Sequence, residues 1–217
     1  MRFYSALYSN CYPFDEFYPE SEFLTVAKPE QLEAPGILII WGGGDIHPSI
    51  YGKPNLGSHV GQQESARDLT EVALFKRAIE IQMPVIGICR GAQLGCALAG
   101  GILIQDFPGH EHSHPIETND GRKMGTSSLH HQVMFPWRIK HELIAWDARP
   151  NDYHPIFIES IDEFDLIRWS SYRYDVPEIV YFPAIRCLAI QGHPEFMARY
   201  TQFVRYTKEL CDKYAAY

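Results

Sequence analysis

The sequence predicts an α/β domain in which a mostly parallel sheet lies between layers of helices. Three observations carry this expectation. Two short aliphatic runs, Gly36–Trp41, which ends in three glycines, and Val85–Ile88, which Pro84 precedes, are too short for helices. A helix-length segment separates them, and a second helical segment follows the second run at once. A strand–helix–strand–helix order calls for parallel strands with right-handed crossovers, which puts helices on both faces and makes a three-layer sandwich.

Taken in order, Gly36-Ile37-Leu38-Ile39-Ile40-Trp41 reads as a buried strand that runs into three glycines and a tight loop. Residues Glu64 to Gln82 read as a helix, with Glu64 and Asp68 near its positive end and Leu69, Val72, Phe75 and Ile79 roughly on one face. Pro84 stops it. Val85 to Ile88 is the next buried strand, Gly91 to Ala99 a second helix closed by Gly100-Gly101, and Ile102 to Gln105 extended chain. Residues 107–127 are polar and rich in Gly, His and Pro and read as a loop. Further short runs read mainly as strands, some antiparallel: Leu143–Trp146, Ile156–Ile158, Leu166–Trp169, Ile179–Phe182 and Cys187–Ile190. Glu195 to Tyr214 reads as a closing helix with Phe196, Tyr200, Phe203, Val204, Leu210 and Cys211 on one stripe.

The 217 residues suit a single domain, and 46% hydrophobic content suffices for its core. A net charge of -8 without any basic run argues against a nucleic-acid partner. No segment reads as a signal peptide or a membrane span. Five cysteines, an odd number in a chain too large to need staples, point to free thiols in a reducing, cytoplasmic setting.

Two segments carry the chemistry. In Gly87-Ile88-Cys89-Arg90-Gly91 a cysteine sits on the turn between strand and helix, where a nucleophile stands exposed above the sheet edge and its neighbours must be small. The helix N-terminus favours thiolate, and the Arg90 N–H is free for a developing oxyanion. In Gln191-Gly192-His193-Pro194-Glu195 a histidine follows a strand end, with a carboxylate two residues on that can orient it. Each segment alone has a bland explanation: a small buried cysteine, or a surface turn before a helix. Gly42-Gly43-Gly44-Asp45 offers bare backbone N–H groups after a third strand. Three carboxyl-edge loops with complementary groups fit one site.

With these residues in view, the chain resembles the class I glutamine amidotransferases, and more closely their γ-glutamyl hydrolase branch, which includes the γ-glutamyl-γ-aminobutyrate hydrolases (the peptidase C26-like group). The matching segments are Gly42–Pro48, Gly87–Gln93, Gly100–Asp106, Ser128–Gln132 and Gln191–Glu195, in the family's order. The resemblance implies a flavodoxin-like three-layer fold and a Cys89–His193–Glu195 triad. It also implies an oxyanion hole from the Arg90 N–H and a Gly43 or Gly44 amide, and substrate contacts by Gln93, Ser128 and His130. The implied reaction is hydrolysis of a γ-glutamyl amide through a thioester, without metal or organic cofactor. Two alternatives remain: a glutaminase subunit passing ammonia to a partner synthetase, and a silent binding module. A homo-oligomer is also compatible.

Departures from the pattern are Cys96, where relatives commonly carry Asn, and Trp41, where proline is usual. Residues 138–182 match nothing recognisable and are expected to shape the leaving-group side. His110-Glu111-His112-Ser113-His114 invites a metal reading, but no Cys or Asp is spaced to complete a site, so a solvated polar loop is expected.

Overall fold

The computed structural model describes residues 1–6, 11–107, 109–149 and 175–215. The expected strands at Ile156–Ile158 and Leu166–Trp169 lie outside them. The chain opens with β1 (Arg2–Ala6), a helical turn α1 (Phe14–Phe17) and β2 (Glu22–Val26), none of which the sequence reading anticipated. Next come β3 (Ile37–Ile40), α2 (Ala66–Glu80), β4 (Val85–Ile88) and α3 (Arg90–Leu98), close to the expected spans. After them run β5 (Ile102–Ile104), β6 (His114–Thr118), β7 (Lys123–Thr126), β8 (Val133–Phe135) and β9 (Glu142–Asp147). The chain closes with β10 (Pro177–Phe182), β11 (Cys187–Ile190) and α4 (Gln202–Tyr214).

Nine strands form one sheet in the order β2-β1-β3-β4-β11-β10-β9-β6-β7. From β2 to β11 every pairing is parallel; from β11 onward every pairing is antiparallel. Along β3 the side chains alternate between two cores. Leu38 and Ile40 pack with Leu74 and Phe75 of α2 and Leu94 of α3, whereas Ile37 and Ile39 join Phe14 of α1 and Phe203, Tyr206 and Leu210 of α4. These are the three layers.

Several expectations need correction. Residues 107–127 are not all loop: 114–118 and 123–126 form a hairpin whose buried side chains alternate with exposed ones. Polar His114, Thr118 and Thr126 take core positions there, which hides the pattern. The extended chain at β5 leaves the main sheet and pairs with β8 in a separate two-stranded sheet. In α2, Leu69 is exposed and Leu74 takes its place in the core. The closing helix starts at the Thr201 cap, whose side chain accepts from the Val204 N–H. Before it, Pro194–Phe196 makes one 3-10 turn and Met197 is extended, so Phe196 and Tyr200 stay outside the stripe and exposed.

Candidate active site

Register brings three strand ends to one point. Leu38 pairs with Val85 and Val85 with Cys187; at the carboxyl edge Ile88 lies beside Ile190. The loops that follow β3, β4 and β11 therefore leave side by side, and they carry Gly42, Cys89 and His193. The Cys89 N–H donates to the Ile190 carbonyl at 2.7 Å, tying the second loop to the third.

Cys89 is the N-cap of α3 and has φ 50°, ψ −104°. A positive φ in a side-chain-bearing residue is strained, and it is the mark of a nucleophile elbow. Crowding around the elbow accounts for its glycines: a Cβ on Gly87 would collide with the Gly91 carbonyl, and one on Gly91 with the Ile40 carbonyl. At the first position of α3, the Arg90 N–H is one of the helix-start donors with no intrahelical acceptor.

The structure brings His193 and Glu195 together, with Nδ1 2.7 Å from Oε1 and both side chains almost wholly buried. Among the described residues Nε2 bonds to no protein oxygen or nitrogen. Cys89 acts on the ring electrostatically and lines the same cavity. Burial alone would push the His193 pKa down; the bonds and charges of Cys89 and Glu195 outweigh burial and carry it up to about 10. The surroundings of the ring thus favour its charged form. Phe196 stacks on it with ring centres 4.7 Å apart. Ser127, which sequence reasoning passed over in favour of Ser128, fixes the histidine backbone: its Oγ donates to the His193 carbonyl at 2.6 Å and accepts from the His193 N–H at 3.2 Å.

Cys89, His193 and Glu195 open on a cavity of about 360 Å³ walled by Trp41, Leu129 and Phe196 and bordered by Gly42 and Gly43. Gly43 has φ 152°, and a Cβ there would collide with the Arg67 guanidinium. Gly44 has open space around it and does not line the cavity. Trp41 is pinned by Nε1 donating to Ser5 Oγ at 2.8 Å and by edge contact with Phe14.

Behind the elbow lies a buried charge network with no clear sequence signal beyond the four-residue spacing of Arg67 and Glu71. The Arg90 side chain binds Asp68 at 2.5 Å and Glu71. Glu71 also accepts from Arg67 Nε at 2.8 Å, and Arg67 Nη2 donates to the Trp41 and Gly42 carbonyls at 3.0 and 2.9 Å. Arg67 therefore holds the glycine loop against the elbow. Cys96, the departure on α3, is buried, and burial pushes its thiol up to about 12.

Gln93, Ser128 and His130 are buried and do not line the cavity. Gln93 Nε2 donates to the Gln132 carbonyl at 3.1 Å, Ser128 Oγ donates to the His110 carbonyl, and His130 Nδ1 donates to the Gln132 carbonyl at 2.9 Å. Leu129 is the member of that segment that reaches the cavity. The histidine-rich segment is not a solvated loop either. His112 is exposed, but His110 and His114 are buried beside His130, Glu178 and Asp147.

Solved structures with this fold define the class. A Thermoplasma acidophilum protein bearing a GMP synthase name superposes with TM-score 0.60 at 15% identity, covering 99% of this chain and 95% of its own. A glutamine amidotransferase of Thermotoga maritima gives TM-score 0.57 at 13% identity over 98% and 84%. The fold is that of the class I glutamine amidotransferases. The Peptidase C26 family model matches residues 29–195, and the chain belongs to that family. A Mycobacterium tuberculosis protein bearing a glutamine amidotransferase name, Rv2859c, is 32% identical over 170 residues, 76% of this chain and 52% of its own length. The glutamine amidotransferase-like protein YvdE of Lactococcus lactis is 31% identical over 119 residues, 45% of this chain and 50% of its own. The chain spans about half the length of these two curated relatives. Among the described residues no helix is long and apolar enough to cross a membrane.

Proposed function

We propose that the protein hydrolyses the γ-glutamyl amide bond of a small γ-glutamyl compound, with Cys89 as nucleophile. The observation that carries this is the strained Cys89 elbow facing a His193–Glu195 pair of 2.7 Å across one cavity. Membership of the Peptidase C26 family, and the glutamine amidotransferase names of its relatives, support amide hydrolysis as the reaction class.

The chemistry follows from the positions. The imidazolium and the α3 N-terminus stabilise the Cys89 thiolate. The thiolate attacks the γ-carbonyl, and the oxyanion takes the Arg90 N–H with the Gly43 amide as second donor. His193 Nε2 gives its proton to the departing amine as the C–N bond breaks, leaving a thioester. The now neutral ring accepts a proton from water, hydroxide adds to the thioester, and glutamate leaves as the thiolate re-forms. Glu195 holds the ring throughout.

A panel of glutamine and γ-glutamyl amines, with an electrophilic glutamine analogue as covalent label, tests the proposal. The expected result is turnover of γ-glutamyl amines by the free-standing chain and a label on Cys89 alone. Burial pushes the Cys96, Cys187 and Cys211 thiols upward and makes them poor nucleophiles. A label on another cysteine would overturn the assignment. Turnover of glutamine alone, raised by an added synthetase, would favour the ammonia-donating role instead.

A further inference from the structure

The histidine cluster behind the site has a geometry the triad does not use. His114 Nδ1 lies 3.1 Å from the His112 carbonyl and His130 Nδ1 2.9 Å from the Gln132 carbonyl. A carbonyl only accepts, so both Nδ1 atoms carry the proton. In a neutral ring Nε2 is then a bare lone pair. Yet His114 Nε2 faces Glu178 Oε1 at 3.0 Å, His110 Nε2 faces it at 3.7 Å and His130 Nε2 at 3.8 Å. Three imidazoles thus converge on a carboxylate in a pocket where all four side chains are about 99% buried. Glu178 Oε2 and His130 Nε2 have no hydrogen-bond partner among the described residues. Arg149 Nη2 reaches only His110 Nε2, at 3.2 Å, so the buried His130 Nε2 and Glu178 Oε2 are left without a donor and suit a cation.

We infer that His110, His114, His130 and Glu178 form a site for a divalent transition metal of the zinc type. Bonds of about 2.0–2.1 Å to four tetrahedral ligands put neighbouring donor atoms about 3.3 Å apart. The separations of 3.0 to 3.8 Å from Glu178 Oε1 bracket that edge. Nδ1–H groups held by backbone carbonyls are the second-shell arrangement that fixes metal-binding histidines. Three imidazoles and one carboxylate suit zinc or cobalt better than calcium or magnesium, which prefer all-oxygen sets. Asp147 shares a donor cluster with His110 and His114, and Arg149 flanks it. Asp147 Oδ2 is 3.1 Å from His110 Nε2, and Arg149 Nη2 is 3.2 Å from the same atom. Arg149 gives up that contact when the metal binds and keeps Asp147 at 2.7 Å and the Gly109 carbonyl at 2.7 Å. The ion joins β6, β10 and the Ser127–Gln132 segment, and Ser127 is the residue that fixes the His193 backbone. Its role is to hold that segment in place, away from the reacting atoms.

The buried donors call for metal present during folding. The test is expression of the full chain, free of any affinity tag, in medium supplemented with zinc or, separately, cobalt. Metal content is then measured by mass spectrometry and the cobalt protein by visible absorption. The expected result is about one metal per chain with the d–d bands of tetrahedral cobalt. Glu178→Gln and His114→Ala should lose it, whereas Cys89→Ser, which removes the other soft ligand, should keep it. Substoichiometric metal in wild type would overturn the inference and leave a proton-sharing network. So would metal lost in Cys89→Ser but kept in folded Glu178→Gln. If His114→Ala does not fold, the isosteric Glu178→Gln decides.

Discussion

Glu71 is the place where stability and catalysis are most tightly joined, and Glu71→Gln tests that joint. The side chain is wholly buried between Arg67 and Arg90, and Asp68 supplies the second negative charge, so two cations meet two anions. Burial, with Arg67 adding, pushes the Arg90 guanidinium down to about 10, and Asp68 opposes the shift. Replacing Glu71 by glutamine keeps the shape and leaves a net positive charge in the core. Breaking a buried pair costs about 3–5 kcal/mol. Arg67 is 24% exposed and recovers part of its solvation, which places the expected loss near the low end, about 3 kcal/mol. At about 2–4 °C per kcal/mol for a chain of this size, Tm should fall by about 6–12 °C. Arg67 also loses its anchor and holds the Trp41 and Gly42 carbonyls less firmly, so kcat should fall roughly tenfold to a hundredfold through misplacement of the glycine loop. Thermal melts by circular dichroism and initial rates on the best substrate of the panel measure both. A folded Glu71→Gln whose Tm stays within about 2 °C of wild type, with kcat unchanged, would refute the clamp.

The two loop glycines should separate. Gly43→Ala, whose Cβ would collide with Arg67 and displace the oxyanion-donor N–H, is expected to lower kcat by about 10²-fold or more, and Gly44→Ala to leave it near wild type; equal rates in the two variants would remove Gly43 from the hole. Ser127→Ala should cost about 0.5–1.5 kcal/mol of stability and reduce kcat more than it raises KM, read from melts and steady-state rates. His193→Ala should abolish turnover and Glu195→Gln leave a remnant, both read in single-turnover rates. The raised His193 pKa stabilises the fold fully below its ordinary 6.5, and the gain is lost as pH rises through about 10. The Tm difference between wild type and His193→Ala should therefore shrink between those pH values, and a difference that grows with pH would contradict the imidazolium.

The parts legible in the sequence were those set by local rules. Val85–Ile88 is flanked by Pro84 and a glycine-bounded cysteine, so strand, elbow and helix start could be placed from neighbours alone. His193 and Glu195 lie two residues apart, and their hydrogen bond needs no distant partner. Where long-range pairing decides, the signal failed. β6 and β7 bury His114, Thr118 and Thr126, which composition assigns to a loop. The helical spacing that includes Phe203 and Leu210 also runs back through Phe196 and Tyr200, and nothing in periodicity tells a cavity wall from a core stripe. Glu178 stands 64 residues from His114, so a search for a nearby fourth ligand could not find it.

The parallel pairing of β4 with β11 also sets an order of events during synthesis. Residues 1–98 contain β2, β1, β3, β4 and α3, enough to begin the parallel half and present the elbow. Its base arrives about a hundred residues later, on the strand that slots between β4 and β10. Closing so long a loop is slow compared with local structure formation. Until then the Cys89 sulfur lacks both His193 and the Ile190 carbonyl that anchors its backbone. On the proposed mechanism, a chain that ends before β11 has the elbow without its base. The three loops of the candidate site come together only when the far strand docks between β4 and β10.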